Sequence, residues 1–143
     1  VPIEWAGELY IDGELTLAAG VALLGQPDAR LVVGYYDTAA LLVKGTAAAP
    51  VTIGPADTAN NSWVGIWLSG KASGSSLEHL VLTGASADAA IDVAGGVTAT
   101  LSAVTCAKCK NAVVGWGCGA TVTSSQVLAA DGTPKVDVRP EGC

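Results

Sequence analysis

The chain has 143 residues, half of them apolar but only 5% aromatic, with 14% charged, no Met, no Phe and a net charge of −6. That length points to one domain with a core of its own, and the apolar content excludes a disordered chain. Seven Lys and Arg spread along the sequence exclude the basic patch that nucleic acid or an anionic membrane would need, and no apolar run approaches the roughly 20 residues of a membrane span.

Short β-like runs recur from one end to the other: Leu15–Leu17, Leu31–Val33, Leu41–Val43, Val51–Ile53, Ile66–Leu68, Leu80–Leu82, Ile91–Val93, Leu101–Ala103, Val113–Val114, Val122 and Val136–Val138. Gly, Ala, Ser, Asp or Pro separates them. No stretch holds a 3.6-residue period over about 11 positions, so helix is expected to be nearly absent. The runs fall into two series. Leu41/Val43, Ile66/Leu68, Ile91/Val93, Val114/Trp116 and Val136/Val138 follow one another at steps of 25, 25, 23 and 22 residues, and Leu80/Leu82, Leu101/Ala103 and Val122/Ser124 at steps of 21. Gly45, Gly70 and Gly95 follow the first series at one offset.

A repeat of 20–25 residues carrying two or three short strands is the signature of a solenoid coil. The fold class expected is therefore all-β: a single-stranded right-handed parallel β-helix of about five to six coils. Residues 1–143 form one domain, with a corner loop at 57–62 and a C-terminal coil and disulfide-tethered tail at 131–143. Alternation then predicts outward columns. In the first series these are Leu42, Trp67, Asp92, Gly115 and Asp137; in the second, His79/Val81, Thr100/Ser102 and Thr121/Thr123.

The segments Leu15–Leu24 and Gly45–Ile53 resemble coils of bacterial secreted right-handed β-helix proteins of the pectate-lyase-like superfold. Trp63–Leu68 followed by Gly74–Leu82 is similar to that family's pattern of a Trp-Gly-Gly-Ile coil followed by a Ser-Ser-Leu-Glu coil. The resemblance spans roughly residues 9–128 and implies architecture rather than activity, since the superfold holds lyases, adhesins and other proteins.

Candidate chemistry is sparse. Asp92 and Asp137 are expected two coils apart, about 9.6 Å by stacking distance, at the edge of the separation an inverting glycosidase needs. No Arg or Lys cluster accompanies them, so solvated surface carboxylates are the simpler reading. His79 is the only histidine, and nothing in register with it makes a triad. Thr98/Thr100 and Thr121/Thr123 are expected to be offset by two residues between coils, which the β-propensity of Thr explains better than a flat ice-matching array.

Four cysteines, Cys106, Cys109, Cys118 and Cys143, lie in the last third. Cys106 and Cys109 have the spacing of half a zinc ribbon, but a matched second pair is missing, so disulfides in an oxidising compartment are preferred to metal. Aligning coils places Cys118 over Pro140 and within reach of Cys143. That pairing is worth roughly 3–4 kcal/mol in the chain-entropy model and leaves Cys106 with Cys109; other pairings stay open. Trp63 and Trp67, beside Asn60 and Asn61, are candidate glycan contacts.

The function expected is a non-enzymatic, secreted or cell-surface structural or adhesive solenoid without cofactors. Its expected partners are itself, head to tail into filaments, or surface glycans. The alternatives are a carbohydrate-binding module of a surface protein and, more remotely, a polysaccharide lyase or hydrolase.

Overall fold

The computed structural model describes residues 2–57, 63–87, 89–116, 119–129 and 136–139, with 125–129 and 136–139 described as backbone alone. Among them are fourteen strands and no helix. They are β1 (Ile3–Trp5), β2 (Glu8–Ile11), β3 (Glu14–Ala18), β4 (Ala22–Gly25), β5 (Arg30–Val33), β6 (Ala40–Lys44), β7 (Val51–Pro55), β8 (Gly65–Leu68), β9 (Ser75–Thr83), β10 (Ile91–Val93), β11 (Thr98–Ala107), β12 (Val113–Trp116), β13 (Thr121–Ala129) and β14 (Val136–Arg139). Every pairing is parallel. An eight-stranded sheet runs β1-β4-β7-β9-β11-β13, with β3 and β6 joining it at β9; a six-stranded sheet runs β2-β5-β8-β10-β12-β14.

The core is built as ladders of like residues. In the six-stranded sheet Leu31, Ile66, Ile91 and Val113 stack in register. In the larger sheet Leu17, Val43, Leu77 and Leu101 do the same, as do Leu23, Ile53, Leu82 and Cys106. All of these are buried. Each such aliphatic side chain contributes about 1.5–3 kcal/mol of transfer free energy. Small branched residues suit this interior because consecutive strands bring them within about 5 Å of each other, which leaves no room for a large ring in every layer. Rings occur where a glycine makes space. Trp63 is fully buried and meets Trp5 edge-on at 6.0 Å, with Gly25 against both.

β9 and β11 each bend at a single left-handed residue. β9 pairs with β6 through its first half and with β7 through its second. Between the halves, His79 has φ 47°, and Ala103 of β11 has φ 52° at the same place in register. A ladder needs both halves extended, so the change of direction is confined to one residue. Gly45 sits against this bend, and a Cβ there would collide with the carbonyl oxygen of His79.

Three expectations on register are corrected. Leu41 and Val43 do not precede Ile66 and Leu68: β6 lies in the larger sheet, and the strand beside β8 is β5. The step from Leu31 to Ile66 is 35 residues, and the excursions it spans hide the true neighbour. Ile91 pairs with Val113 and not Val114, so Val114 and Trp116 stand on the outer face while Val113 and Gly115 point inward. A one-residue slip exchanges the two faces, and Ala112-Val113-Val114 offers the pattern two phases. Leu101 stacks on Leu77 rather than on Leu80, which places Ala103 over His79 and Thr100 over Ser76. Thr98 and Thr100 consequently stand in strict register with Thr121 and Thr123, all four exposed, with no offset between the strands.

Candidate functional site

The outer face of the six-stranded sheet carries the chemistry. Register places Tyr10, Val32, Trp67, Asp92, Val114 and Asp137 in one column across all six strands. Asp92 and Asp137 thus share a column two strands apart, as the repeat predicts. One Asp92 oxygen accepts a hydrogen bond from Trp116 Nε1 at 2.7 Å.

Two more aromatics reach this face from the turn after β5. Gly34 has φ +71°, and a Cβ on it would sit 2.6 Å from the backbone of Lys71 and Ala72, so only glycine lets the chain reverse there. The turn is then tied down. Lys71 Nζ donates to the Tyr36 carbonyl at 2.8 Å, the Lys71 amide to the Gly34 carbonyl at 3.0 Å and the Asp37 amide to Asp12 Oδ1 at 3.2 Å. Held in this way, Tyr36 lies 5.1 Å from Tyr10 and 4.8 Å from Tyr35, and Tyr35 lies 5.8 Å from Trp67, ring centre to ring centre. The result is a continuous aromatic surface, with Tyr35 49% and Tyr36 61% exposed. It covers Val32, which is fully buried although it stands on the outer side.

Beyond Trp67 the face opens into a cleft of about 400 Å³. Arg30, Trp67, Asp92 and Trp116 supply its polar and aromatic walls, and Val64, Ala87 and Ala94 its small apolar ones. The Arg30 guanidinium lies 5.9 Å from the Trp67 ring centre and 3.7 Å from Glu8. The ion pair is solvent-exposed and worth less than about 1 kcal/mol, so its consequence is the orientation of the guanidinium over the ring. Glu8 also accepts a hydrogen bond from the Tyr10 hydroxyl, and that bond, with desolvation and the carboxylate charge, pushes the Tyr10 phenol up to about 12. The phenol is then a fixed donor to Glu8 at neutral pH.

The sequence-derived candidates separate. Trp67 stands in the middle of this face. Trp63, expected beside it at the surface, is turned into the core, with its Nε1 donating to the Thr83 carbonyl at 2.7 Å. Its place is set by Gly25, and its ring is fully buried. Asn60 and Asn61, and Cys118 and Cys143, lie outside the described residues, as do most of the 57–62 loop and the turn at 131–134. Cys106 and Cys109 are brought to disulfide distance, with Cα atoms 5.9 Å apart. His79 is half-buried at its bend, lining a separate shallow cleft with Thr46, Val81, Ala103 and Thr105.

The residues missed from sequence are Tyr10, Arg30, Tyr35, Tyr36 and Trp116. The tyrosines come from two segments more than 20 residues apart, and nothing local links them. Trp116 was recoverable: a Trp in an inward column beside Gly115 would overfill a layer, which argues for the other phase. The chain matches no family model, no curated protein and no solved structure.

Proposed function

We propose that this chain is a right-handed parallel β-helix of five to six coils acting outside the cell as a non-enzymatic adhesive module, and that it holds glycans on the outer face of its six-stranded sheet. The helical reading is supported by two wholly parallel sheets in which the chain returns one strand further on at each passage. Parallel strands in one sheet are joined by right-handed crossovers in about 98% of cases, which supplies the hand. The bridged Cys106 and Cys109 suit an oxidising compartment.

The observation that carries the function is the row of exposed Tyr10, Tyr36 and Tyr35 running onto half-buried Trp67 and Trp116. Large exposed aromatic surface is costly to leave in water and marks binding faces. Sugar rings offer apolar C–H faces to aromatic rings and hydroxyls to carboxylates and guanidinium groups at their rims. Around the row stand Glu8, Asp12, Asp37, Asp92, Arg30 and Lys71, four acids to two bases. A neutral polysaccharide fits that balance, and a polyuronate would be repelled. Asp92 already serves Trp116, and a hydrolase or lyase reading gains nothing further from the cleft.

A glycan array followed by calorimetry tests this. Neutral glycans should bind, and Trp67→Ala and Tyr36→Ala should each weaken binding about tenfold or more with the far-ultraviolet dichroism unchanged, one rigid ring contact being worth about 1–3 kcal/mol. An array without hits, or affinity untouched by both substitutions, would sink the proposal.

A further inference from the structure

The aromatic face has a direction. Along the strands the rings have no ring neighbours: the positions two before and two after Trp67 are Gly65, which has no side chain, and Ser69, which is 7% exposed. Asp92 is flanked in the same way by Ala90 and Ala94. Across the strands the rings follow one another. Tyr10 stands on β2, Tyr35 and Tyr36 cover Val32 of β5, Trp67 stands on β8, and Trp116 stands on β12. Asp92 of β10 fills the one step without a ring, and the 2.7 Å bond from Trp116 Nε1 to its Oδ1 ties the indole back to the central column. That column, Tyr10, Val32, Trp67, Asp92 and Val114, keeps register over five successive strands. At about 4.8 Å a strand, its four steps span roughly 19 Å in a straight row.

We infer that the ligand of this face is an extended neutral glycan chain with equatorial linkages, lying across the strands with about one sugar unit to each of the five. The inference rests on the glycan reading above and adds the ligand's length, direction and linkage. A pyranose unit in an extended chain advances by nearly the spacing of two strands, so chain and column stay in step. Equatorial linkages keep such a chain straight and flat, and its C–H faces can then meet ring after ring. Axial linkages coil the chain, which leaves a straight row after its first contacts. The step at β10 differs from the rest. There the unit lies over the cleft between Trp67 and Trp116, where Arg30 and Asp92 supply polar walls for its hydroxyls and Ala94 a small apolar one. The rings are already held before any ligand arrives, by the Lys71 bond to the Tyr36 carbonyl and by the Trp116 bond to Asp92. A long chain therefore gains contacts without ordering the protein, and affinity grows with length until the row is filled.

Calorimetry of the full chain with cello- and manno-oligosaccharides of two to six units, and with axially linked malto-oligosaccharides of the same lengths, tests it. Affinity for the equatorially linked series should rise by about tenfold or more from two units to about five, as further rings are engaged, and then level off. The axially linked series should bind about tenfold more weakly at five units. Tyr10→Ala, at the exposed end of the row, should bring the plateau about one unit shorter. Equal affinity for two and five units, equal binding of the two series, hits on the glycan array confined to axially linked or branched sugars, or a plateau unmoved by Tyr10→Ala would each overturn this inference and leave the glycan reading standing. Absence of binding to any glycan would overturn both.

Discussion

Replacing Gly25 by alanine tests whether the N-terminal core is packed as described. The added methyl would lie 2.8 Å from Trp63 Cβ, 3.1 Å from Trp5 Cη2 and 3.3 Å from Ala29 Cβ. Two of these three atoms are Cβ atoms fixed to backbone, and Trp63 is fully buried and anchored by its hydrogen bond to the Thr83 carbonyl, so no side chain can swing clear. Overpacking of this kind costs about 1–3 kcal/mol. Against it stands the loss of glycine's freedom in the unfolded chain, which favours alanine by about 0.4–1 kcal/mol. The net expectation is destabilisation by about 1–2 kcal/mol, or a fall in Tm of roughly 2–8 °C for a chain of this size. Urea unfolding followed by tryptophan fluorescence reads it, because two of the four tryptophans, Trp5 and Trp63, report from this very layer. Gly70 is the control: its Cβ would meet nothing within 4 Å, and Gly70→Ala should be neutral or slightly stabilising. A Gly25→Ala protein as stable as the wild type would refute the packing argument.

Ala103 occupies the left-handed region at φ 52°, where a Cβ costs about 1–2 kcal/mol, so Ala103→Gly should stabilise by about 0.5–1 kcal/mol after the entropy of glycine is subtracted; a lower urea midpoint would contradict the bend assignment. Tyr10 has its phenol raised from 10.0 to about 12 by Glu8. A raised folded value means that its contribution to stability is whole below pH 10 and is lost as pH rises through about 12. Tyrosinate absorbance should show a late component from Tyr10, and Glu8→Gln should bring its midpoint back toward 10; an unmoved midpoint counts against that hydrogen bond. Reducing the Cys106–Cys109 bridge opens a loop with a sequence separation of only 3, worth about 2 kcal/mol in the chain-entropy model. Its reduction should therefore lower the urea midpoint modestly without abolishing folding, and global unfolding on reduction would show that the corner depends on it.

Composition and periodicity determined much of this protein. Ala, Val, Leu and Ile in short runs at steps of 20–25 residues, with no helical period, are sufficient for parallel strands in ladders, because alternation and repeat length follow from backbone geometry alone. Ile66, Ile91, Trp67 and Asp92 were legible on their correct faces for that reason. What periodicity does not contain is phase where two adjacent apolar residues compete, as at Val113 and Val114, or the length of an excursion, as between Leu31 and Ile66. Those were decided by stacking against the strand before, and stacking is a tertiary fact. The aromatic face belongs to the same class: Tyr10, Tyr35, Tyr36, Trp67 and Trp116 lie on separate passages of the chain and become neighbours only when the strands come into register. Trp63 makes the converse point. Its sequence neighbours suggest a surface ring, but Gly25, 38 positions earlier, leaves the space in the core that takes it.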